Sequence, residues 1–283
     1  MVDGQTPRAS STWQADYLKQ HTAEKAKYLE TVAATGPLQQ VAARAMELLA
    51  LSSGATVLEL GCGNGVFLPR LAAAVGSSGK VVGVDHSAEL IAQAVARMAE
   101  ARLDGVVHFE VGDAYALPFE DGTFDAAHCE RVLMHLEDPN AALSELARVV
   151  KPGGIIVCAE PDWAGVRIDH PDREVFDRVF ALAITPRNTD MGLTLFRRMG
   201  EIGLVNRRHA ASSSVIEDFG TWKMFGLDLG PPVDQVAREG VFSAERIARI
   251  LPALDAANES GRFYSAVTVH VIAGVVPAAV PKL

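Results

Sequence analysis

From residue 52 to residue 160 the chain alternates between short runs of branched apolar residues and stretches with helical spacing, and that order leaves few architectures open. Thr56 to Leu60, Val81 to Asp85, Val106 to Val111, Phe124 to Cys129 and Ile155 to Glu160 read as strands. Val66 to Val75, Ser87 to Arg102 and Asn140 to Val150 read as helices between them. A strand that returns through a helix to a parallel neighbour crosses over right-handedly, so the pattern predicts a doubly wound sheet with helices on both faces. The flanks are less regular. Thr12 to Leu51 is expected to be helical with a break at Gly36-Pro37, as are Arg173 to Ile184 and Met191 to Ile202. Asn206 to Ile216 and Phe263 to Val276 are expected strands, and Ser243 to Leu251 a helix in the insertion between them.

With 283 residues the chain can bury a core without disulfide or metal staples, and 49% hydrophobic against 22% charged residues excludes a disordered, collagenous or coiled-coil protein. The 35 acidic and 26 basic residues give a net charge of -9, the wrong sign for a surface that binds phosphate backbone. Nucleic acid is therefore not an expected partner. No apolar run approaches the ~20 residues that span a bilayer, and Met1 to Ser11 is polar, so a cytoplasmic location with no membrane partner is expected. Cys62, Cys129 and Cys158 are too scattered for a disulfide framework or a CxxC metal site, and no metal is expected. Scarce lysine and abundant alanine hint at a bacterial source.

Glu59-Leu60-Gly61-Cys62-Gly63-Asn64-Gly65 follows the first strand and opens a helix. Glycines there let the backbone approach a ligand, and the helix start offers free N–H donors. The spacing is E-x-G-x-G-x-G; the dinucleotide fingerprint G-x-G-x-x-G would need glycine where Val66 stands, which argues against NAD and for a different adenosyl ligand. Asp85 ends the second strand, where an acid can take both ribose hydroxyls, and Gly112-Asp113-Ala114 follows the third, where a carboxylate can meet an adenine amino group. All three sit at the carboxyl ends of consecutive strands, the edge at which open α/β sheets bind ligands.

Together with these elements, VLELGCGNG (57–65), VVGVDHS (81–87), GDAYALPFEDGTFD (112–125), RVLMHLEDP (131–139) and ELARVVKPGG (145–154) resemble the ordered motifs of class I S-adenosylmethionine-dependent methyltransferases. The similarity is greatest to the small-molecule branch of ubiquinone and menaquinone biosynthesis and natural-product tailoring. It is strong over about 50–160, and residues 256–274 resemble the end of bacterial members that carry a helical cap. The resemblance implies S-adenosyl-L-methionine as cofactor. It implies that Gly61, Cys62, Gly63 and Gly65 line its methionine part, with Glu59 supporting the loop or the amino group. Asp85 would bind the ribose, His86 would flank the adenine, Asp113 and Ala114 would hold its amino edge, and the backbone at Cys129 would meet the ammonium. Tyr17 and Tyr28 are the candidates for an aromatic residue that closes over the cofactor.

For chemistry, His135 is the nominated base or substrate ligand, with Glu160 or Asp162 as orienting acid; some relatives have a histidine pair where this chain has Met134-His135. Glu130 and Arg131 lie beside the same mouth, either to bind substrate or as an ion pair that orients the loop. Trp163 follows the acids. Phe219, Trp222, Met224 and Phe225 could wall a planar acceptor or simply pack a cap, and Arg187, Arg197 and Arg198 form a basic cluster. Cys62 and Cys129 read as packing residues, not nucleophiles. The expected organisation is a Rossmann-like, doubly wound, seven-stranded, mostly parallel sheet with N-terminal helices and a helical cap. Residues 1–51 would form a lid, 52–216 the cofactor-binding core, 217–262 the cap and substrate insertion, and 263–283 the last strand and tail. The expected activity is methyl transfer to a small, aromatic or indole-like acceptor at carbon, nitrogen or oxygen, in natural-product biosynthesis. A non-catalytic cofactor-binding scaffold or regulator is the alternative, and a homodimer stays open.

Overall fold

The computed structural model describes residues 15–184, 186–224 and 227–278. Two helices precede the sheet: α1 (Ala15–Ala33), kinked at His21, and α2 (Gly36–Leu49). Pro37 suits the first turn of α2, where no backbone N–H is needed. The middle of the chain then runs β1 (Thr56–Leu60), α3 (Leu68–Val75), β2 (Lys80–Asp85), α4 (Ala88–Glu100), β3 (Val107–Val111), β4 (Phe124–Glu130), α5 (Pro139–Val149) and β5 (Val150–Pro161). Helix starts are chemically marked. Ser87 Oγ accepts the Leu90 N–H at the start of α4, and Asp138 Oδ1 accepts those of Asn140 and Ala141 at the start of α5. The second half adds β6 (Arg167–Ile168), α6 (Arg173–Ala183), α7 (Met191–Glu201), β7 (Val205–Ile216), α8 (Phe219–Met224), α9 (Gly230–Glu239), α10 (Ala244–Ala248), α11 (Ile250–Glu259) and β8 (Ser265–Val275).

The strands form one sheet in the order β3-β2-β1-β4-β5-β8-β6, with β7 along the other edge of β8. Strands β1 to β5 pair in parallel, and β8 is antiparallel to β5, β6 and β7. The described sheet has eight strands, where seven were expected; the additional one is the two-residue β6, too short to leave a periodic signal. Alternate residues of each strand supply two separate cores, as a sheet covered on both faces requires. Leu58, Leu60 and Val82 pack with Leu143 and Leu146 of α5 and with Leu195 of α7. Val57 and Val81 pack with α2, α3 and α4 through Val41, Leu71 and Met98.

A third core holds the cap. Trp222, Val236, Ile247 and Leu254 of α8 to α11 bury themselves against Phe176 and Val179 of α6. Helix α6, grouped by its place in the chain with residues 52–216, shares this core with the later helices, its apolar face meeting α9. Arg246 clamps the assembly by donating Nε and Nη2 to the two carboxylate oxygens of Asp172, each at 2.8 Å. No helix of the described residues is long and apolar enough to cross a membrane.

Candidate active site

Because β1, β2 and β4 run in parallel, their C-terminal ends meet at one edge, and the glycine loop is folded onto that edge. The N–H groups of Gly61 and Cys62 donate to Val84 O at 2.7 and 3.0 Å, and that of Gly63 to Asp85 Oδ2 at 2.8 Å. Gly61 and Gly63 have φ of 71° and 52°. A Cβ on Gly61 would lie 2.2 Å from Val132 Cγ2, and one on Gly63 2.9 Å from Leu29 Cδ1. No side chain fits either position without displacing a neighbour. The same loop, with Leu29 and Val132 packed against it, lines a cavity of about 790 Å³, within the range of small-molecule sites.

One wall of the cavity consists of Gly61, Cys62, Gly63, Asp85, Asp113 and Ala114, so the sequence-nominated cofactor residues at three strand ends share one surface. Asp85 is buried, and its other oxygen accepts the Ser87 N–H at 2.9 Å. His86 is half-exposed on the same wall with Nδ1 3.3 Å from Asp85. Asp113 is exposed and shapes its own turn by accepting the Tyr115 N–H at 2.9 Å. Gly65 lies behind the wall, packed on Ala94. Leu29, Ala33, Leu38 and Ala42 of α1 and α2 supply apolar lining, with Leu29 reaching the glycine loop at Gly63.

His135 also reaches the cavity, at the end of a short 3-10 turn over Leu133–His135. Burial, followed by the charges of Arg131, Lys25 and His86, pulls its pKa down to about 4. The acids named as its orienting partners are engaged elsewhere, which corrects that expectation. Glu160 is fully buried, and its Oε1 accepts the N–H groups of Val132 and Leu133 at 2.9 and 2.7 Å; burial pushes its pKa up to about 8. Asp162 accepts the Gly165 N–H at 3.0 Å. Neither acid lines the cavity. Glu160 instead fixes the turn that carries His135, and Asn188 does the same by donating Nδ2 to Leu133 O and Leu136 O.

Other assignments also shift. Glu130 and Arg131 line the cavity and are bonded to each other at 3.2 Å. Cys129 is enclosed between β1 and β5, its thiol raised by hydrogen bonding to Cys158 and by burial, so at this point the wall is made by Glu130. Trp222 and Trp163, nominated to bind the acceptor, do not line the cavity. Trp222 is fully buried in the cap core with Nε1 on Ser265 Oγ at 2.7 Å, and Trp163 packs against it and donates to Met134 Sδ. Phe225 and the side chains of Tyr17 and Met224 lie outside the described residues. Tyr28 is half-buried on α1 beside Leu29, which does reach the cavity. Of the basic cluster only Arg187 lines the cavity, since Arg197 pairs with Glu201 and Arg198 bonds Asn140.

Some site residues escape a reading of motifs. Phe67 lines the cavity and stacks on His128 with centroids 4.2 Å apart. His128 in turn holds Glu59, Nδ1 to Oε2 at 2.7 Å, with both side chains buried. A charged residue and a histidine among the apolar residues of two neighbouring strands, in 57–60 and 126–129, are the signal that could have revealed the pair. Asn64 ties the glycine loop to α1 by donating Nδ2 to Ala26 O and Glu30 Oε1, each at 3.3 Å. Tyr115 Oη accepts the N–H groups of Glu137 and Asp138, joining the Asp113 turn to the segment after His135.

The sequence matches a family model described as a methyltransferase domain over residues 51–184. It is 35% identical over 252 residues to an uncharacterised 37.1 kDa protein of transposon TN4556 from Streptomyces fradiae, covering 88% of this chain and 70% of that protein. It is also 35% identical over 140 residues to the demethylmenaquinone methyltransferase of Lactococcus lactis, covering 50% of this chain and 52% of that enzyme. The chain therefore spans about half the length of that relative. Among solved structures the backbone is similar to YcgJ from Bacillus subtilis, with a TM-score of 0.63 at 19% identity over 85% of this chain and 100% of that one. It is similar also to the [4+2]-cyclase SpnF, with a TM-score of 0.52 at 21% identity over 85% and 82% of the two chains. At those identities the likeness is one of fold.

Proposed function

We propose, on the premise that this chain belongs to the class I S-adenosylmethionine-dependent methyltransferases, that it transfers a methyl group to a small apolar acceptor, an aromatic or indole-like natural product, held against α1 and α2. The observation that carries the reading is one cavity lined both by the glycine loop and strand-end carboxylates and by apolar residues of α1 and α2. The polar lining suits S-adenosylmethionine: Gly61, Cys62 and Gly63 would face its amino-acid end, Asp85 stands where ribose hydroxyls need an acceptor, and His86, Asp113 and Ala114 where the adenine would lie. Bound there, the cofactor supplies a methyl group already activated by a sulfonium.

The protein's share of the work is then largely positional. Leu29, Leu38 and Phe67 give a planar acceptor apolar surface and keep water from the reacting atoms. Burial pulls the pKa of His135 down to about 4, so its ring is neutral and can accept a hydrogen bond from the acceptor, positioning it more than deprotonating it. The turn that presents it is held by Glu160 and Asn188. The aromatic choice is supported by the half-length similarity to demethylmenaquinone methyltransferase.

The test is to incubate the protein with methyl-labelled S-adenosylmethionine and fractionated metabolite pools and to search for label in a product heavier by one methylene. With that acceptor, His135→Gln is expected to lower kcat by about 100-fold while leaving affinity for S-adenosylhomocysteine unchanged. The non-catalytic reading draws support from the fold's occurrence in a [4+2]-cyclase. Tight cofactor binding with no labelled product from any pool would favour it over methyl transfer.

A further inference from the structure

We propose that His128 is a positioning residue that holds the Glu59 carboxylate as the receptor for the ammonium group of the bound cofactor. The proposal rests on the reading that the glycine wall receives the amino-acid end of S-adenosylmethionine. Glu59 lies one residue short of the end of β1, on the cavity wall, and the parallel register of β1 and β4 sets His128 directly opposite it. The histidine side chain is 0% exposed and that of the glutamate 4%, with Nδ1 to Oε2 at 2.7 Å. A carboxylate this deep tends to take up a proton, and burial does raise the pKa of Glu59 while the imidazole opposes the rise. An Nδ1–H donor aimed at Oε2 keeps the charge on the carboxylate and fixes its plane.

Two observations bear on how the histidine is held and which form it takes. The ring of His128 is clamped by Phe67, parallel to within 15° at 4.2 Å, and Phe67 itself lines the cavity. Further, Nε2 of His128 has no hydrogen-bond partner among the described residues. The neutral Nδ1–H form leaves only a lone pair unmatched there, whereas the cation would bury an unmatched N–H. A neutral His128 beside an ionised Glu59 gives the pair one negative charge for an ammonium to meet.

Protonation of either partner cancels that charge. Burial disfavours the cation of His128, but Glu59 beside it outweighs burial and lifts its pKa. Glu130 on β4 acts on both groups in the same sense, and the Cys62 thiol of the glycine loop, pushed up by burial and by Asp85 and Glu59, stays neutral beside them. Lower pH therefore weakens the receptor from both sides.

Titration calorimetry with S-adenosylhomocysteine and with 5′-methylthioadenosine, which keeps the adenosine but lacks the amino-acid end, separates this role from a structural one. His128→Leu is expected to lose at least about tenfold in affinity for S-adenosylhomocysteine and to bind 5′-methylthioadenosine as the wild type does. His128→Asn, which keeps an amide donor near the Nδ1 position, is expected to restore most of the loss. In the unaltered protein the preference for S-adenosylhomocysteine over 5′-methylthioadenosine is expected to fall several-fold from about pH 8 to about pH 6. A preference that stays flat across that range overturns the proposal, and this arm holds even if His128→Leu does not fold. Equal losses on both ligands in a folded His128→Leu protein overturn it as well. Failure of the wild type to bind either ligand would instead overturn the cofactor reading on which the proposal stands.

Discussion

Asp85 shows how much a single carboxylate at a strand end can carry. It accepts the Gly63 and Ser87 N–H groups, so it shapes the glycine loop and the start of α4 while standing where a ribose would need an acceptor. Asp85→Ala removes both functions, and cofactor affinity is expected to fall more than tenfold, about 1.4 kcal/mol; calorimetry with S-adenosylhomocysteine would show it, and unchanged affinity would undo the assignment. Glu160 makes a different prediction. Its pKa, raised by burial to about 8, means that the folded protein holds a proton there which the unfolded chain releases at ordinary carboxylate pH. Its contribution is therefore fully present at low pH and is lost as pH rises toward about 8. Melting temperatures of Glu160→Gln measured across that window should show a shallower decline than the wild type, and parallel curves would contradict the placement. Motif position alone suggested Glu160 as a partner for His135. What decides its role is that its oxygen meets two backbone N–H groups, a fact of packing that spacing does not encode.

At the scale of elements, the helices that precede the sheet are the ones that cover the cavity. Leu29 and Ala33 of α1 and Leu38 and Ala42 of α2 form its apolar side, whereas α8 to α11 contribute nothing to the lining described. The excess length beyond the sheet, expected to be acceptor-pocket material at both ends, divides into an N-terminal cover and a separately cored cap. Helix α1 is fastened at Asn64, whose amide reaches Ala26 O and Glu30, while Arg97 reaches Asn64 O and pairs with Glu30. Asn64→Ala is expected to cost about 1 kcal/mol of closure. Amide hydrogen exchange in residues 26–33 should rise accordingly, with a several-fold weaker hold on S-adenosylhomocysteine; protection equal to the wild type would mean that α1 does not depend on this latch. The helices and strands themselves were mostly legible, because burial on one or two faces leaves a period in the sequence. The partner of each amphipathic face was not, which is why no sequence signal paired α6 with α9.

For the whole molecule, the separate core of the cap implies some independence between it and the site. Trp222 is the largest fully buried side chain in the third core and donates to Ser265 at the start of β8. Trp222→Ala is expected to destabilise the protein by about 3–5 kcal/mol and to leave affinity for S-adenosylhomocysteine within twofold of the wild type. A large loss of affinity in protein that still melts cooperatively would show that the cap reaches the cavity after all.

What the sequence determined by itself is what local chemistry can write: the alternation of strand and helix, the glycines of a turn that takes positive φ, and acids placed at successive strand ends. Those features depend on neighbours a few positions apart, and parallel topology then brings Gly61, Asp85 and Asp113 to one edge almost without further choice. Only the tertiary structure decided that Glu59 faces His128, that Glu160 serves a backbone turn, and that α1 and α2 close the cavity while Trp222 lies in a remote core. These depend on strand register and on which apolar face meets which. Contacts between residues tens of positions apart are set by the packing of the whole chain, and no local period records them.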